Sequence, residues 1–294
     1  MKSGVRYINL LGVFLISWFS AGATTDTLQL AKSADSLFRL EHYYEAGNFY
    51  QKASYYCVSQ KNKISFLLQK VNCLKQQGLF SDAEAIIASV NTDLPDTLLN
   101  ELLSQGALCS YLGSQYVKAE SYLVTLDYKL SDRRLMNSNL VLYSLVLNEQ
   151  ARWAEAKEKL KSYINNNPLF DSVIKVAYVD EINILYNSGR FPKLKNPKKA
   201  KTMSHIIPGL GQMYAGYFGE GLSSLALNTI TLAGAAVGIY FQYYFTSIVL
   251  GNYFFAKFYL GNVSRAEFLA NKRNYLRINK FNSELKPKIL KLYQ

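Results

Sequence analysis

Four stretches of this chain share one pattern: residues 43–50 read YYEAGNFY, 80–87 read FSDAEAII, 116–123 read YVKAESYL and 153–160 read WAEAKEKL. Each begins with an aromatic residue, has Ala three positions later and ends with a bulky residue four positions after that. The steps between the aromatic residues are 37, 36 and 37 positions. Spacings of three and four place these side chains on one helix face, so the pattern predicts four amphipathic helices at a nearly constant period.

A second set of positions precedes each of these helices. A leucine stands thirteen residues before each aromatic, and a small or modest residue stands nine before it: Leu30, Leu67, Leu103 and Leu140, then Ala34, Val71, Ala107 and Ser144. They share one face of a first helix, and the small residues let the two helix axes of a hairpin approach each other. One hairpin cannot bury its apolar stripe alone, so neighbouring hairpins are expected to stack into a solenoid.

The pattern resembles the tetratricopeptide repeat, a helical hairpin of about 34 residues. Here the units fall at 27–60, 64–97, 100–133 and 137–170, and a closing helix is expected at 172–188. The chain departs from the family in lacking the usual Gly beside the small position of the first helix. The resemblance implies an all-α, tetratricopeptide-like helical solenoid over residues 24–190.

Such solenoids present a concave surface formed by their first helices, which usually holds a peptide or another protein. By register, the groove is expected to be lined by Arg39, Leu68, Asn72, Lys75, Leu108, Tyr111, Val141, Leu145 and Asn148. Asn72 and Lys75 match only part of the clamp with which some family members hold a C-terminal carboxylate, so that ligand is not expected. The alternative is that these residues are an ordinary solvated face.

The first 23 residues have the organisation of an export signal. Lys2 and Arg6 precede a mostly apolar stretch at 8–19, and Ala21-Gly22-Ala23 supplies the small residues that a signal peptidase reads. We therefore expect a signal peptide at 1–23, cleaved after Ala23, and an exported repeat domain. The alternative is an uncleaved anchor.

The basic charge is concentrated near the end of the chain. Residues 1–192 carry 19 Lys and Arg against 18 Asp and Glu, whereas residues 193–294 carry 14 against 3. A basic linker is expected at 191–202 and a basic amphipathic tail at 264–294. Between them, residues 222–245 are uncharged and mostly apolar, and 246–263 are apolar except for Lys257. These lengths predict a two-helix transmembrane hairpin at 203–263, bending near 244–247.

The start of this hairpin resembles a Pro-Gly-x-Gly-Gln-x-Tyr type membrane hairpin domain of bacterial envelope proteins. The residues that carry the resemblance are Pro208, Gly209, Gly211, Gln212, Tyr214, Gly216 and Gly221, with Gly261 and Asn262 in a partner motif. Gly234 and Gly238 form a GxxxG pair, which favours close helix packing. A bend near 245 would place Asn228 and Asn262 at similar depth, so a hydrogen bond between their amides is expected. The resemblance implies membrane residence and no particular reaction.

Catalysis finds little support in the sequence. His42, His205 and the three cysteines have no partners at the spacing of a nucleophilic or metal site, so we expect no enzyme, no cofactor and no metal. Export argues against nucleic acid as the partner of the basic segments, and nothing points to a small-molecule substrate. We expect these segments to lie on anionic lipid head groups.

The expected membrane topology follows from the signal peptide and the number of transmembrane spans. Two spans return the tail to the exported, periplasmic side, and one span, with 246–263 lying along the interface, is the alternative. The positive-inside tendency, by contrast, favours both basic flanks in the cytoplasm.

These features together predict a membrane-anchored protein–protein interaction scaffold of the bacterial cell envelope, in an assembly or biogenesis complex. The alternative is that the membrane hairpin is the active part, as an oligomeric transport or insertion element regulated by the repeats.

Overall fold

Regular structure in this chain is helical throughout the part that the structure describes. The structure is a computed structural model that describes residues 26–293, apart from the side chains of residues 250, 292 and 293. The predicted signal peptide at 1–23 lies outside the described residues. The chain divides into two compact units, one ending at Tyr186 and the other comprising Asn187–Gln294.

The first unit is a series of consecutive helices, most of which pack against their neighbours in sequence, while the short α7 packs against α5 and α9. They are α1 (26–39), α2 (Tyr43–Tyr56), α3 (Gln60–Gln76), α4 (Phe80–Ala88), α5 (Asp96–Leu112), α6 (Tyr116–Lys129), α7 (Arg133–Asn137), α8 (Leu140–Glu149), α9 (Trp153–Asn166) and α10 (Ser172–Leu185). The aromatic residues of the repeated pattern lie at the starts of α2, α4, α6 and α9. These paired helices are consistent with a helical repeat. The short helix α7 was not expected from the sequence.

The same turn joins the two helices of every pair. Two positions before each aromatic, a residue has a positive φ: Glu41 (62°), Gly78 (73°), Ser114 (59°) and Ala151 (59°). The next residue closes each turn by donating its backbone N–H to the carbonyl five positions earlier, at 2.8–3.0 Å. The backbone therefore repeats with the period that the aromatic and alanine positions predict, although only one of the four turns has glycine.

The small positions form the centre of each helix pair. The four small residues of the first helices and the four alanines of the second helices are fully buried: Ala34, Val71, Ala107 and Ser144, then Ala46, Ala83, Ala119 and Ala156. The bulky residues that follow these alanines are at most 3% exposed. Burying a side chain of that size contributes about 1.5–3 kcal/mol, so each of these contacts stabilises its helix pair.

The second unit consists of a 3-10 turn at Ser188–Arg190 and the helices α11 (Pro197–Ile206), α12 (Leu210–Ala215), α13 (Phe218–Tyr240) and α14 (Tyr244–Tyr293). The helices α13 and α14 pack against each other as an antiparallel hairpin, while α11 and α12 pack on the middle of α14. The bend lies at residues 241–243, where Gln242 has φ 68° and Tyr243 closes the same kind of turn as in the first unit by donating its N–H to the Gly238 carbonyl at 2.9 Å.

Two sequence predictions need correction here. In the described part of the chain, α13 is the one helix long and apolar enough to cross a membrane, so a hairpin of two spans is wrong. Residues 246–263 fall short because Asn252, Lys257 and Asn262 interrupt their apolar character. The helix that contains these residues does not end at 263, because α14 is 50 residues long and has no proline before Pro287. The basic tail is thus the second half of this helix and not a separate element.

The turn geometry gives a first prediction. Ala151→Gly should raise the free energy of unfolding of the first unit by about 0.5–1 kcal/mol, because glycine adopts a positive φ without steric cost. The matched control is Ala85→Gly on the exposed face of α4, which should lower it by about 1 kcal/mol. Chemical denaturation followed by Trp153 fluorescence, on protein lacking residues 1–23, measures both. Destabilisation by both substitutions would contradict the common turn.

Candidate functional site

The predicted groove residues lie at different depths on the first helices. Leu68, Tyr111, Val141, Leu145 and Asn148 are buried, Asn72, Lys75 and Leu108 are half-buried, and Arg39 is exposed. The accessible part of this surface therefore lies on the first three helix pairs, because the predicted groove residues of the fourth pair are buried.

Two polar groups of the predicted groove bond within the first unit. The Lys75 ammonium donates to Gln105 Oε1 at 2.6 Å, and burial lowers the pKa of Lys75. The Asn148 amide donates to the Tyr186 hydroxyl at 2.7 Å, and burial raises the pKa of that tyrosine. Since both Asn148 and Tyr186 are about 2% exposed, this bond fastens the segment after α10 to α8. Asn148 is thereby part of the interior.

The interface between α13 and α14 is made of small and polar residues. The covered face of α13 carries Gly221, Ser224, Leu225, Asn228, Thr231, Ala235 and Gly238. A Cβ on Gly238 would lie 2.0 Å from Ser247 Oγ, and one on Gly251 would lie 2.7 Å from the Ala235 Cβ. The helices can approach so closely because these positions lack a side chain. A Cβ on Gly234, the other member of the GxxxG pair, would have no other atom within 4 Å.

The Pro-Gly-x-Gly-Gln segment forms the base of this hairpin. Pro208 and Gly209 make the turn between α11 and α12, and Gly209 has φ 93°. A Cβ on Gly209 would lie 2.0 Å from the carbonyl oxygen of Gly221, and one on Gly211 would lie 2.0 Å from that of Ala200. These positions require glycine because backbone meets backbone there. The segment is therefore a close junction of α11, α12 and the start of α13.

Asn262, on α14, is the polar centre of that junction. Its Oδ1 accepts hydrogen bonds from the Gly209 N–H at 3.1 Å, the Gln212 amide at 2.5 Å and the Ser224 hydroxyl at 2.6 Å. The Ser204 hydroxyl extends this network, since it accepts from the Gly211 N–H at 3.0 Å and donates to Gln212 Oε1 at 3.3 Å. One amide oxygen thus joins three helices, and Asn262 is 4% exposed.

The expected hydrogen bond between Asn228 and Asn262 does not form. The Asn228 amide donates instead to the Ser224 carbonyl at 2.8 Å, and the Ser224 hydroxyl in turn bonds to Asn262. The two buried amides are linked through this serine. The bend of the hairpin lies a few residues earlier than predicted, so α14 meets α13 in a different register.

Charged and aromatic residues surround the junction. Lys195 and Lys199 place their ammonium groups 4.6 and 5.6 Å from the ring centre of Tyr214. The Arg265 guanidinium donates to both carboxylate oxygens of Glu220, at 2.8 and 3.1 Å. Gly216 ends α12 with φ 94°, close to the Arg273 side chain. Gly261 is exposed, with nothing within 4 Å of an added Cβ. This arrangement holds the ends of the hairpin together on one side.

Several residues of the junction were missed by sequence reasoning. The sequence does not distinguish Ser204 and Ser224 from other serines, and Glu220 does not stand out among the acidic residues. Ser224 stands four residues before Asn228, which places both on one helix face, and that spacing was the available signal. The Glu220–Arg265 pair joins residues 45 positions apart, and no local pattern indicates it.

The structure also places the candidate metal-ligating and nucleophilic side chains. Within the described residues, no group of three or more His, Cys, Asp or Glu side chains is arranged to hold a metal ion. Cys73 and Cys109 are buried free thiols, and burial raises the pKa of each to about 11. They are thus poor nucleophiles at neutral pH.

The Asn262 junction gives a second prediction. Asn262→Ala should destabilise the second unit by about 1–3 kcal/mol for each buried donor left unpaired, because the donors of Gly209, Gln212 and Ser224 lose their acceptor. Asn252→Ala is the matched control, since Asn252 is exposed on the same helix and should cost little. Thermal unfolding in detergent, with protease cleavage between α11 and α13 as readout, compares the two variants. Equal stability would show that the network contributes nothing.

Comparison with protein-family models, curated proteins and solved structures finds no match to this chain. The resemblances to the tetratricopeptide repeat and to the envelope hairpin domain therefore depend on the residues quoted above.

Proposed function

We propose that the chain is a membrane-anchored protein–protein interaction scaffold of the bacterial cell envelope, in an assembly or biogenesis complex. In this proposal the second unit is the anchor and the first unit holds a protein or peptide partner. The observation that carries it is the exposure of α13. Only 6% of the most apolar stretch of that helix is buried.

The exposed surface of the hairpin supports the anchor. Large apolar side chains on both helices face outward, including Leu222, Ile230, Leu232, Val237, Phe245, Ile248 and Val249, each about half exposed or more. Soluble monomers rarely expose contiguous apolar patches of this extent. The 23 residues of α13 extend about 35 Å at 1.5 Å per residue, against about 30 Å of hydrocarbon in a bilayer. This apolar surface is therefore suited to contact with the hydrocarbon of a lipid bilayer.

The base of the hairpin supports a position at the membrane surface for the start of α13. The helices α11 and α12 precede the hairpin, and both pack on α14 after residue 262. Lys257 and Arg265 flank Asn262 on α14, and each cation at this level contributes about 1 kcal/mol beside anionic head groups. In the proposal α13 is the one helix that crosses the membrane, and its first residues lie on the exported, periplasmic side.

The helical pairs support the scaffold role. Stacked helical hairpins present an extended surface of one set of helices, and proteins of this architecture use it to bind peptides or other proteins. Arg39, Asn72, Lys75 and Leu108 are the accessible residues of the predicted groove. A cavity of about 430 Å³ between α2, α3 and α4, with Ile64 and Leu67 in its wall and Lys63 at its rim, could take an apolar side chain of a partner. The proposal assigns no catalytic step, cofactor or nucleic acid to either unit.

One observation favours the second candidate, an oligomeric transport or insertion element regulated by the repeats. Gly234 faces a cavity of about 300 Å³ on the hairpin, lined also by Thr231, Ala235 and Gly251, where a helix of another chain could pack. The two candidates differ in which unit is sufficient. Rescue of a deletion strain by residues 201–294 alone, carrying a heterologous export signal, would favour the second candidate.

The placement of the hairpin gives a third prediction. Single cysteines at Lys198 and Gln242, in a chain whose native cysteines are alanine, should react with a membrane-impermeant thiol reagent from opposite sides of the membrane. The reason is that α13, which lies between these two positions, is the one span. Labelling of spheroplasts and of permeabilised cells measures this, and reaction of both cysteines from the same side would exclude a membrane-crossing α13.

The groove gives a fourth prediction. Replacing Arg39, Asn72 and Lys75 together with alanine should abolish co-purification of a stoichiometric partner from detergent-solubilised membranes, since these residues supply the accessible polar contacts of the groove. The matched control replaces Lys52, Lys61 and Lys157, which lie outside it. Quantitative mass spectrometry compares recovery. Unchanged recovery with the groove variant, or equal loss with the control, would remove the groove assignment.

A further inference from the structure

We propose that the second unit contains a binding pocket for a phosphate-bearing anion, separate from the hairpin. The pocket has a volume of about 380 Å³ and lies between the segment after the 3-10 turn and the second half of α14. Arg190, Lys193, Arg277 and Lys280 supply four cationic groups, and Pro192 and Phe281 supply an apolar wall. Glu284 is the one acidic residue of the lining.

The walls of the pocket are held together by side-chain contacts. The Arg277 guanidinium donates to the carbonyl of Lys193. One turn earlier on α14, Asn274 Oδ1 accepts from the Lys195 N–H and its amide donates to the Lys195 carbonyl, both at 2.7 Å. At the other end, the rings of Phe191 and Phe281 meet edge to face, with centroids 6.0 Å apart. The segment 191–195 is thereby fixed on α14, and the pocket exists before any ligand binds.

The charges of the pocket are not balanced by nearby carboxylates. Among the described residues, the four cationic side chains form no ion pair within 4.0 Å, and neither does Glu284. In the same unit, Lys201 and Arg265 each bind a carboxylate. Four positive groups around one acid leave a net charge of about +3, which an anion with several negative charges offsets best.

The residue types favour phosphate over other anions. Arginine presents a planar set of N–H donors that matches phosphate geometry, and lysine adds point charges around it. Since the Arg277 guanidinium already donates one hydrogen bond to the Lys193 carbonyl, its remaining N–H groups are oriented before a ligand binds. The apolar wall of Pro192 and Phe281 leaves room for an organic group attached to the phosphate. The chemical class is thus a phosphorylated small molecule or a phospholipid head group.

The position on α14 favours the soluble source, a step that rests on the proposed membrane placement. Arg277 follows Asn262 by 15 positions, so it lies about 22 Å further along the helix than the base of the hairpin. The Debye length at physiological ionic strength is about 8 Å. A head group at the level of the hairpin base is therefore too far away to occupy the pocket.

The test uses the full chain in detergent, titrated with pyrophosphate at low ionic strength by isothermal calorimetry. We expect saturable binding of one pyrophosphate per chain. The double variant Arg277→Gln/Lys280→Gln should weaken it about tenfold or more, because two charge-assisted contacts are lost. Glu284→Gln should tighten binding, since it removes the one repulsive charge. Lys288→Gln/Lys291→Gln removes the same charge from exposed positions of the same helix and should leave affinity unchanged.

The outcomes separate the possibilities. Absence of saturable binding, or equal weakening by the Lys288/Lys291 control, would overturn the pocket and leave membrane anchoring untouched, because no membrane is present in this titration. The source is decided with protein reconstituted in vesicles of phosphatidylcholine alone or of phosphatidylcholine and phosphatidylglycerol in equal parts. Equal pyrophosphate affinity in the two supports a soluble ligand. Weaker affinity with phosphatidylglycerol supports the phosphate site and overturns its soluble source.

Discussion

A polar group without a hydrogen-bond partner is costly in an apolar environment, and this constraint organises the second unit. At the base of this apolar hairpin three donors need an acceptor, and Asn262 Oδ1 accepts from all of them, while Asn262 Nδ2 and Asn228 Oδ1 are buried without a partner. The acceptor can reach the Gly209 N–H only because Gly209 and Gly221 let two backbone segments touch. The glycines and the amide therefore act together. The glycines let the two backbone segments approach, and the Asn262 oxygen accepts hydrogen bonds from the donors at their junction.

The two units solve the problem of apolar surface in opposite ways. In the first unit, each pair of helices meets at fully buried small residues such as Ala107 and Ala119, and stacking covers the bulky side chains beside them. In the second unit, small residues such as Gly238 and Gly251 again let helices approach, but the bulky side chains point outward. The first arrangement suits an aqueous compartment with a surface for partners, and the second suits lipid. This contrast underlies the proposal of a scaffold held at a membrane.

The sequence predicted those features that local spacing determines. The aromatic and alanine positions indicated the paired helices, and the backbone turns repeat with the same period. The uncharged stretch indicated the apolar helix. Features that depend on contacts between distant residues escaped prediction. A bend assumed near 245 put Asn228 opposite Asn262, whereas the actual bend at 241–243 brings Ser224 there. The second span was wrong because Asn252, Lys257 and Asn262 make the start of α14 less apolar than a membrane-crossing helix. The spacing of the repeats placed Asn148 on the groove surface. Its side chain instead bonds to Tyr186, a contact that depends on the path of the chain after α10.

The central claim is that the outward face of α13 contacts lipid. Spin labels at Leu222, Ile230 and Val237, each exposed in the structure, test it most directly when the full chain is reconstituted in vesicles. Collision rates with oxygen, which concentrates in the bilayer, and with a water-soluble nickel chelate report the surroundings of each label. The account predicts high oxygen and low nickel accessibility at Ile230, near the middle of α13, with more nickel contact at Leu222 and Val237 near its two ends. High nickel accessibility along the whole face would contradict it.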